Sequence, residues 1–377
     1  MGQIKNASYQ KDQIDKKLKT ALSPQSPDEN FYVDTDGKPK QAANLYEHPQ
    51  VSACFISSPR DSIRDMIQVG AVTSSIIFKR GSGIGGDWSH IRSAGEPVSG
   101  GGVASGAKRF MDVQDTSGRV IKSGGISRRA ATMQSIGVWH PDMLEIIKDK
   151  YSEDVKARIL LEAGSPSHWE SHTFQNLRGQ NVNISIRMDD EFWKAYESNG
   201  EYSIRRVCDN GVVQRVPARQ LLEKIAFATH GCGDPGLQNH TIINRWNTCK
   251  ASGDIWASNP CSEYMFLDNS ACNLASLNLM RFRRADGSID VEAFGKEVAL
   301  YITAQDIMVS QASYPNEEIA LNSHRFRPLG LGYANLGALL MSNGIPYDSD
   351  EARNLAAAIT ANLTAEAYLQ STRLAEK

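Results

Sequence analysis

A short apolar run with β-branched residues, QVSACFI (50–56), is followed by a stretch with apolar residues at helical spacing. That stretch is SIRDMIQVGAVTSSIIFK (62–79), with Ile63, Met66, Ile67 and Ala71. A buried strand is the reading of the first and an amphipathic helix that of the second. The alternation recurs. QSIGVWHPDMLEIIKDK (134–150) gives a strand and then a helix, with Pro141 near its first turn, where a missing N–H costs little. NVNISIRM (181–188) alternates as a strand, and DDEFWKAYESNG (189–200) is a helix ended by Gly200. Further helices are read over 217–233, 291–314, 331–344 and 350–377. Strands alternating with helices imply an α/β fold, either an open sheet or a barrel.

The chain has 377 residues, enough for one large domain or two. With 41% hydrophobic and 22% charged residues it has the composition of a globular protein. A net charge of -2 and no long basic run argue against a protein that binds duplex nucleic acid by neutralising phosphates. No apolar run approaches the roughly 18 residues of a membrane span. The first 20 residues are polar and lack the apolar core of a secretory signal, so the cytoplasm is the expected location. Residues 1–45 carry turn-rich punctuation, SPQSPDEN and DTDGKPK, and read as a polar lead-in with one short helix; the folded domain is expected over 46–377.

The six cysteines are Cys54, Cys208, Cys232, Cys249, Cys261 and Cys272. None forms a CxxC pair, which speaks against a zinc ribbon or a thioredoxin-type motif, and no metal ligand set is expected. Burial as a small hydrophobe is the ordinary fate of Cys208, Cys232 and Cys249. The stretch NPCSEYMFLDNSACNL (259–274) asks for more. Asn259, Cys261 and Glu263 stand at alternate positions, so in an extended or looped backbone an amide, a thiol and a carboxylate face one way and can converge on one substrate. A carboxylate can take a proton from a hydroxyl, and a thiol can act as nucleophile or hydrogen-atom carrier. A Cys–His protease would draw on His230 or His240, but no family signature surrounds them.

Two glycine-rich stretches stand out. GSGIGG (81–86) lacks the GK[ST] ending of a phosphate loop and reads as a tight turn. KSGGISRR (122–129) places flexible amides between cations, which suits a nucleotide or an ordinary solvated loop.

NPCSEYMFLDNSACNLASLNL (259–279) resembles the active-site segment of ribonucleotide reductases, closest to the adenosylcobalamin-dependent class. YEHPQVSACFI, FKRGSGIGG, SGGGVASGAKRFM, IKSGGISRRAATM, DPGLQNHTIINRWNTC and RPLGLGYANLGALLM resemble that class too, in the same order, from about residue 30 to the end. The resemblance implies a ten-stranded α/β barrel of two parallel halves, with a finger loop carrying Cys261 at its tip. In that class, homolysis of the cobalt–carbon bond of adenosylcobalamin leads to a thiyl radical on Cys261, which removes the ribose 3′-hydrogen. Glu263 takes the 3′-hydroxyl proton, Asn259 binds the same region, and water leaves the 2′-carbon. Cys54 and Cys272 are the implied redox pair, ending as a disulfide. Ser52, Ala53 and Gly83 join Asn259, Pro260, Cys261, Ser262 and Glu263 as implied substrate contacts.

A deoxynucleoside triphosphate effector is implied at a separate site. Asp61 fits its sugar, Lys79 and Arg92 its phosphates, and the loop with Lys122 and Arg128 would pass effector identity to the substrate. Further implied partners are a ribonucleotide substrate, with diphosphates favoured, a thioredoxin-like or other dithiol reductant, and a second copy in a homodimer. Two family segments are not found: a loop resembling PTGTI and an upstream NSPQWFNTG. An incomplete barrel is therefore expected, either a fragment or a chain completed by a second polypeptide, with exposed strand edges. The alternatives are a class I large subunit with a separate radical-generating partner, or a nucleotide-binding fragment without activity alone.

Overall fold

The computed structural model describes residues 30–43, 47–121, 130–168 and 171–376. Seven strands form its main sheet: β1 (Cys54–Ile56), β2 (Gly83–Asp87), β3 (Ala131–Gly137), β4 (Val182–Met188), β5 (Gly236–Asn239), β6 (Ser270–Asn278) and β7 (Leu329–Ala334). Their spatial order is β7-β6-β1-β2-β3-β4-β5. β1 to β5 run parallel; β6 is antiparallel to β1; β7 is parallel to β6. This is the arrangement of a parallel five-stranded half meeting the start of a second, oppositely directed half. The outer edges of β5 and β7 have no strand partner among the described residues.

Parallel neighbours need crossovers, and helices supply them. Ile63–Ile67 and Ser74–Lys79, joined by a π-helical stretch Gln68–Thr73, link β1 to β2. Ala107–Val120 links β2 to β3, and Met143–Glu162 leads from β3 towards β4. Asp190–Glu197 and Ala218–Cys232 stand between β4 and β5; Val291–Gln311 and Glu317–Phe326 stand between β6 and β7. The helices bury apolar faces on one side of the sheet. Met66, Ile136, Ile146, Ile186, Phe192 and Ile225 belong to one cluster. Leu277, Phe294, Val298, Leu339 and Ile359 belong to another, beside β6 and β7.

The opposite face is built differently. Along β4 the apolar Ile184, Ile186 and Met188 alternate with Asn183, Ser185 and Arg187. β2 offers Gly83 and Gly85 at alternate positions, and β5 offers the buried Gln238. Since successive side chains point to opposite faces, one face is oily and the other small and polar. A hairpin packs onto that second face.

Three expectations change. GSGIGG is largely strand: Gly83–Asp87 is β2, fully buried, and the turn is confined to residues before it, with Gly81 at φ 75. LGYANLGALLMSNG begins as β7 and becomes a helix over Leu336–Ser342 only after Asn335 turns left-handed at φ 69. Gly330 explains the strand: a Cβ there would sit 2.4 Å from Leu274 Cδ2 and 3.2 Å from Cys272 Sγ, so its bare backbone lets β7 lie against β6. Helix Asp190–Glu197 is capped by Ser198 and followed by Asn199, which takes the left-handed conformation at φ 53 where Gly200 was expected to end the helix. Asn tolerates that conformation by local hydrogen bonding.

The expected lead-in lies mostly outside the described residues. Its described part pairs Phe31–Val33 with Pro39–Gln41 and exchanges backbone hydrogen bonds of 2.8 and 2.9 Å with Tyr314. Among the described residues no helix is long and apolar enough to cross a membrane.

Candidate active site

Ala257–Ser258 and Met265–Phe266 pair as a short antiparallel hairpin, with Asn259–Tyr264 as its tip. The Asn259 amide donates to the Tyr264 carbonyl at 3.0 Å, and the Ser262 amide donates to the Asn259 carbonyl at 3.1 Å. Asn259 Oδ1 accepts from the Tyr264 amide at 3.0 Å, which ties the side chain into the turn. Ser262 adopts φ 72, a left-handed conformation that costs a non-glycine residue about 1–2 kcal/mol. Cys261 therefore sits at an exposed tip, while Asn259 beside it is fully buried.

The hairpin lies against β2 at backbone distance. A Cβ on Gly85 would fall 1.7 Å from the Ser258 carbonyl oxygen, and one on Gly83 would fall 2.6 Å from Pro260 Cγ. The glycines in this strand are the space the hairpin occupies. The Asn183 amide group also donates to the Pro260 carbonyl at 3.0 Å.

Beneath the tip, Cys54 of β1 stands directly across from Cys272 of β6 in the antiparallel ladder. Residues so placed have Cα atoms about 4.5–5.5 Å apart, inside the span that a disulfide bridges. Asn259 Nδ2 donates to Cys54 Sγ at 3.1 Å, and the Cys54 thiol faces Glu263 Oε1 at 3.6 Å. Ala53 and Gly83 join the ladder at this point: the Ala53 amide donates to the Cys272 carbonyl at 3.2 Å, and the Gly83 amide donates to the Ala53 carbonyl at 3.1 Å. Ser52 is buried, its carbonyl accepting from Ser82 Oγ at 2.9 Å. The structure thus gathers two thiols, an amide and a carboxylate under a third thiol. Cys54 and Cys272 are 218 positions apart in sequence and meet only because β1 and β6 are neighbours.

Burial pushes the Cys54 thiol up to about 11, with the Glu263 carboxylate adding to the rise and the Asn259 hydrogen bond opposing it. Burial, then the charges of Cys54 and Glu263, push Cys272 up to about 12. Both are protonated thiols at neutral pH. Since the thiolate is the nucleophile, iodoacetamide at pH 8 is expected to modify exposed Cys261 while leaving Cys54 and Cys272 intact. The check is residue-resolved mass spectrometry; faster labelling of Cys54 than of Cys261 would contradict the arrangement. The folded chain keeps these protons to higher pH than an ordinary thiol of 9.0. The contribution of these two thiols to stability is therefore fully present below about pH 9 and is lost as the pH rises towards 11–12, since the unfolded chain then binds fewer protons.

Sequence reasoning missed several members of this site. Tyr264 is half-buried, desolvation of its hydroxyl pushes that pKa well up, and the hydroxyl shares a 2.9 Å hydrogen bond with Ser270. Asn183, Arg187 and Gln238 face the hairpin. The signal for the first two was present in NVNISIRM, where polar residues recur at every second position of a buried strand.

The expected effector residues divide. Arg92 Nε and Asp61 Oδ2 form a 2.6 Å ion pair, and the Arg92 amide donates to Asp61 Oδ1 at 3.3 Å. Lys79 is exposed at the far end of the helical stretch 63–79, roughly 25 Å from Asp61 along the axis, so it does not join this pair. Lys122 and Arg128 lie outside the described residues.

Residues 52–377 match the family model described as ribonucleotide reductase, barrel domain. The vitamin B12-dependent ribonucleotide reductase of Rhodopirellula baltica is 48% identical over 349 residues, covering 92% of this chain and 34% of that protein. A protein of the same name from Streptomyces clavuligerus is 47% identical over 86% of this chain and 34% of its own length. The vitamin B12-dependent ribonucleoside-diphosphate reductase of Mycobacterium tuberculosis (strain CDC 1551 / Oshkosh) is 33% identical over 87% of this chain and 44% of its own length. The chain thus spans about a third of the length of the first two relatives and under half of the third.

Proposed function

This chain belongs to the ribonucleotide reductase barrel-domain family, and on that premise we propose that it reduces ribonucleoside diphosphates to 2′-deoxyribonucleotides by a thiyl-radical mechanism with adenosylcobalamin. The observation that carries this reading is the convergence of Asn259, Glu263, Cys54 and Cys272 at the hairpin that holds Cys261.

Cys261 takes hydrogen from the ribose 3′-carbon, breaking a C–H bond and making an S–H bond. The two bonds are comparable in strength, so the transfer is reversible. Glu263 accepts the 3′-hydroxyl proton. Asn259 has one amide hydrogen on Cys54 and a second to offer that hydroxyl. The 2′-hydroxyl leaves as water, and Cys54 and Cys272 supply two electrons and two protons as they become a disulfide. Cys261 returns a hydrogen to the 3′-carbon, and Glu263 returns the proton to the 3′-oxygen. A thioredoxin-like or other dithiol then restores the pair by exchange.

When bound, adenosylcobalamin supplies the homolytic start that a thiol has no means of making by itself. The relatives' names favour this cofactor over a separate radical-generating protein.

The Asp61–Arg92 pair supports an effector site for a deoxynucleoside triphosphate, the carboxylate to its sugar and the guanidinium to its phosphate. Exposed Ile63, Ile67 and Val72 on the adjoining helical stretch support a homodimer face beside it. Exposed Leu237 on β5 and Leu274 on β6 support completion of the barrel by further chain, in this polypeptide or a second one.

The test is reduction of a ribonucleoside diphosphate by the purified chain with dithiothreitol and a deoxynucleoside triphosphate, with and without adenosylcobalamin. Product that requires the cofactor is expected. Product without it would overturn the cobalamin reading, and no product would leave the chain a nucleotide-binding piece of the enzyme.

A further inference from the structure

We propose that Gln238 is a positioning residue for the Cys261 thiol, oriented by the buried guanidinium of Arg187; the role of the thiol itself rests on the function proposed above. Arg187 and Gln238 are 0% and 2% exposed, so neither is a surface side chain that happens to reach inwards. Arg187 Nη1 donates to Gln238 Oε1 at 3.0 Å, and Nη2 donates to the Ile255 carbonyl, just before the hairpin, at 2.7 Å. Its Nε and Nη2 face His240 Nδ1 at 3.2 and 2.8 Å. Burial and the Arg187 charge hold His240 down to about 4, so a neutral ring presents Nδ1 as the acceptor.

The orientation of the Gln238 amide follows without choice. Arginine has no acceptor, so the Gln238 oxygen must face it and the nitrogen must face away. That nitrogen donates to Ser258 Oγ at 2.9 Å and to Ser262 Oγ at 2.8 Å. These two serines bracket Asn259, Pro260 and Cys261. Ser258 passes the polarity on, its hydroxyl donating to the Asn259 carbonyl at 3.0 Å. A donor-only arginine thus sets the direction of a chain that ends on both sides of the thiol. Ser262 holds a left-handed φ of 72, which a serine keeps only when its surroundings fix it. Gln238 supplies one of those fixings.

Two substitutions separate positioning from filling of space. Gln238→Met has similar volume and no amide. Gln238→Glu keeps the acceptor for Arg187, and the two serine hydroxyls can rotate to donate into its carboxylate, Ser258 exchanging its bond to the Asn259 carbonyl for the charged one. The measurements, on the chain itself, are amide hydrogen exchange over 257–266 and the alkylation rate of Cys261, with β3 as internal reference for global folding. Gln238→Met is expected to raise exchange at the hairpin tip on the order of tenfold, with Cys261 alkylation rising in step and β3 unchanged. Gln238→Glu is expected to stay within about threefold of the parent. The proposal is overturned if Gln238→Met matches the parent, if β3 loosens as much as the hairpin, or if Gln238→Glu is no better than Gln238→Met. None of these readouts needs turnover, so the result stands apart from the outcome of the reductase assay.

Discussion

Cys261→Ser is expected to lower deoxynucleotide formation by at least about a thousandfold while leaving the fold intact. A hydroxyl O–H bond is much stronger than a ribose C–H bond, so serine cannot carry a hydrogen atom reversibly. No other described cysteine can stand in. Cys54 and Cys272 are buried and, in the proposed mechanism, supply the two-electron step. Cys208 is drawn to Glu96, whose carboxylate accepts the Cys208 amide at 2.8 Å. Cys232 ends its helix with its thiol on the Asp234 carbonyl at 3.3 Å, and Cys249 lies in the turn before Lys250, outside the hairpin. Because Cys261 is exposed at the tip, the change in stability should remain within about 0.5 kcal/mol. Product formation and thermal unfolding of the same preparations check both halves. Activity within tenfold of the parent would remove Cys261 from the chemistry.

Gly85→Ala should act through geometry. The added Cβ would lie 1.7 Å from the Ser258 carbonyl oxygen and 2.8 Å from its carbon, both backbone atoms. Neither side yields easily. Gly85 is registered between Ile56 of β1 and Met133 of β3, and Ser258 is paired with Met265. Either the sheet opens or the hairpin lifts. Overpacking of this kind costs about 3 kcal/mol. A hairpin displaced by about 1 Å costs on the order of a hundredfold in rate even where the chain still folds. Gly100→Ala is the matched control, since a Cβ there meets nothing within 4 Å and its φ is ordinary. Denaturant unfolding and the reductase assay should separate the two variants; equal behaviour would mean that the hairpin does not seat on β2.

The α/β alternation was readable because most strands and helices carry their own periodicity. NVNISIRM and PARQLLEKIAFATHGCG became β4 and helix Ala218–Cys232 much as their patterns require. What escaped are the segments whose conformation is set by a neighbour. Gly83–Asp87 has almost no strand propensity, and its glycines make sense only once the hairpin lies over them. SACNLASLN resembles no isolated strand pattern strongly, yet as β6 it carries the sheet's change of direction. In the site, Asn259, Cys261 and Glu263 were legible from their spacing, whereas the Cys54–Cys272 pairing came from resemblance alone and depends on the order of strands. Gln238 and Arg187 sit in no motif; their importance comes from facing the hairpin across the sheet.

The measurement closest to the central claim is a single turnover without external reductant, followed by mapping of every cystine. The expected result is one deoxynucleotide per chain and one disulfide, joining Cys54 to Cys272, with Cys261 recovered as a thiol. Deoxynucleotide accompanied by a cystine at any other pair, or by no cystine at all, would contradict it.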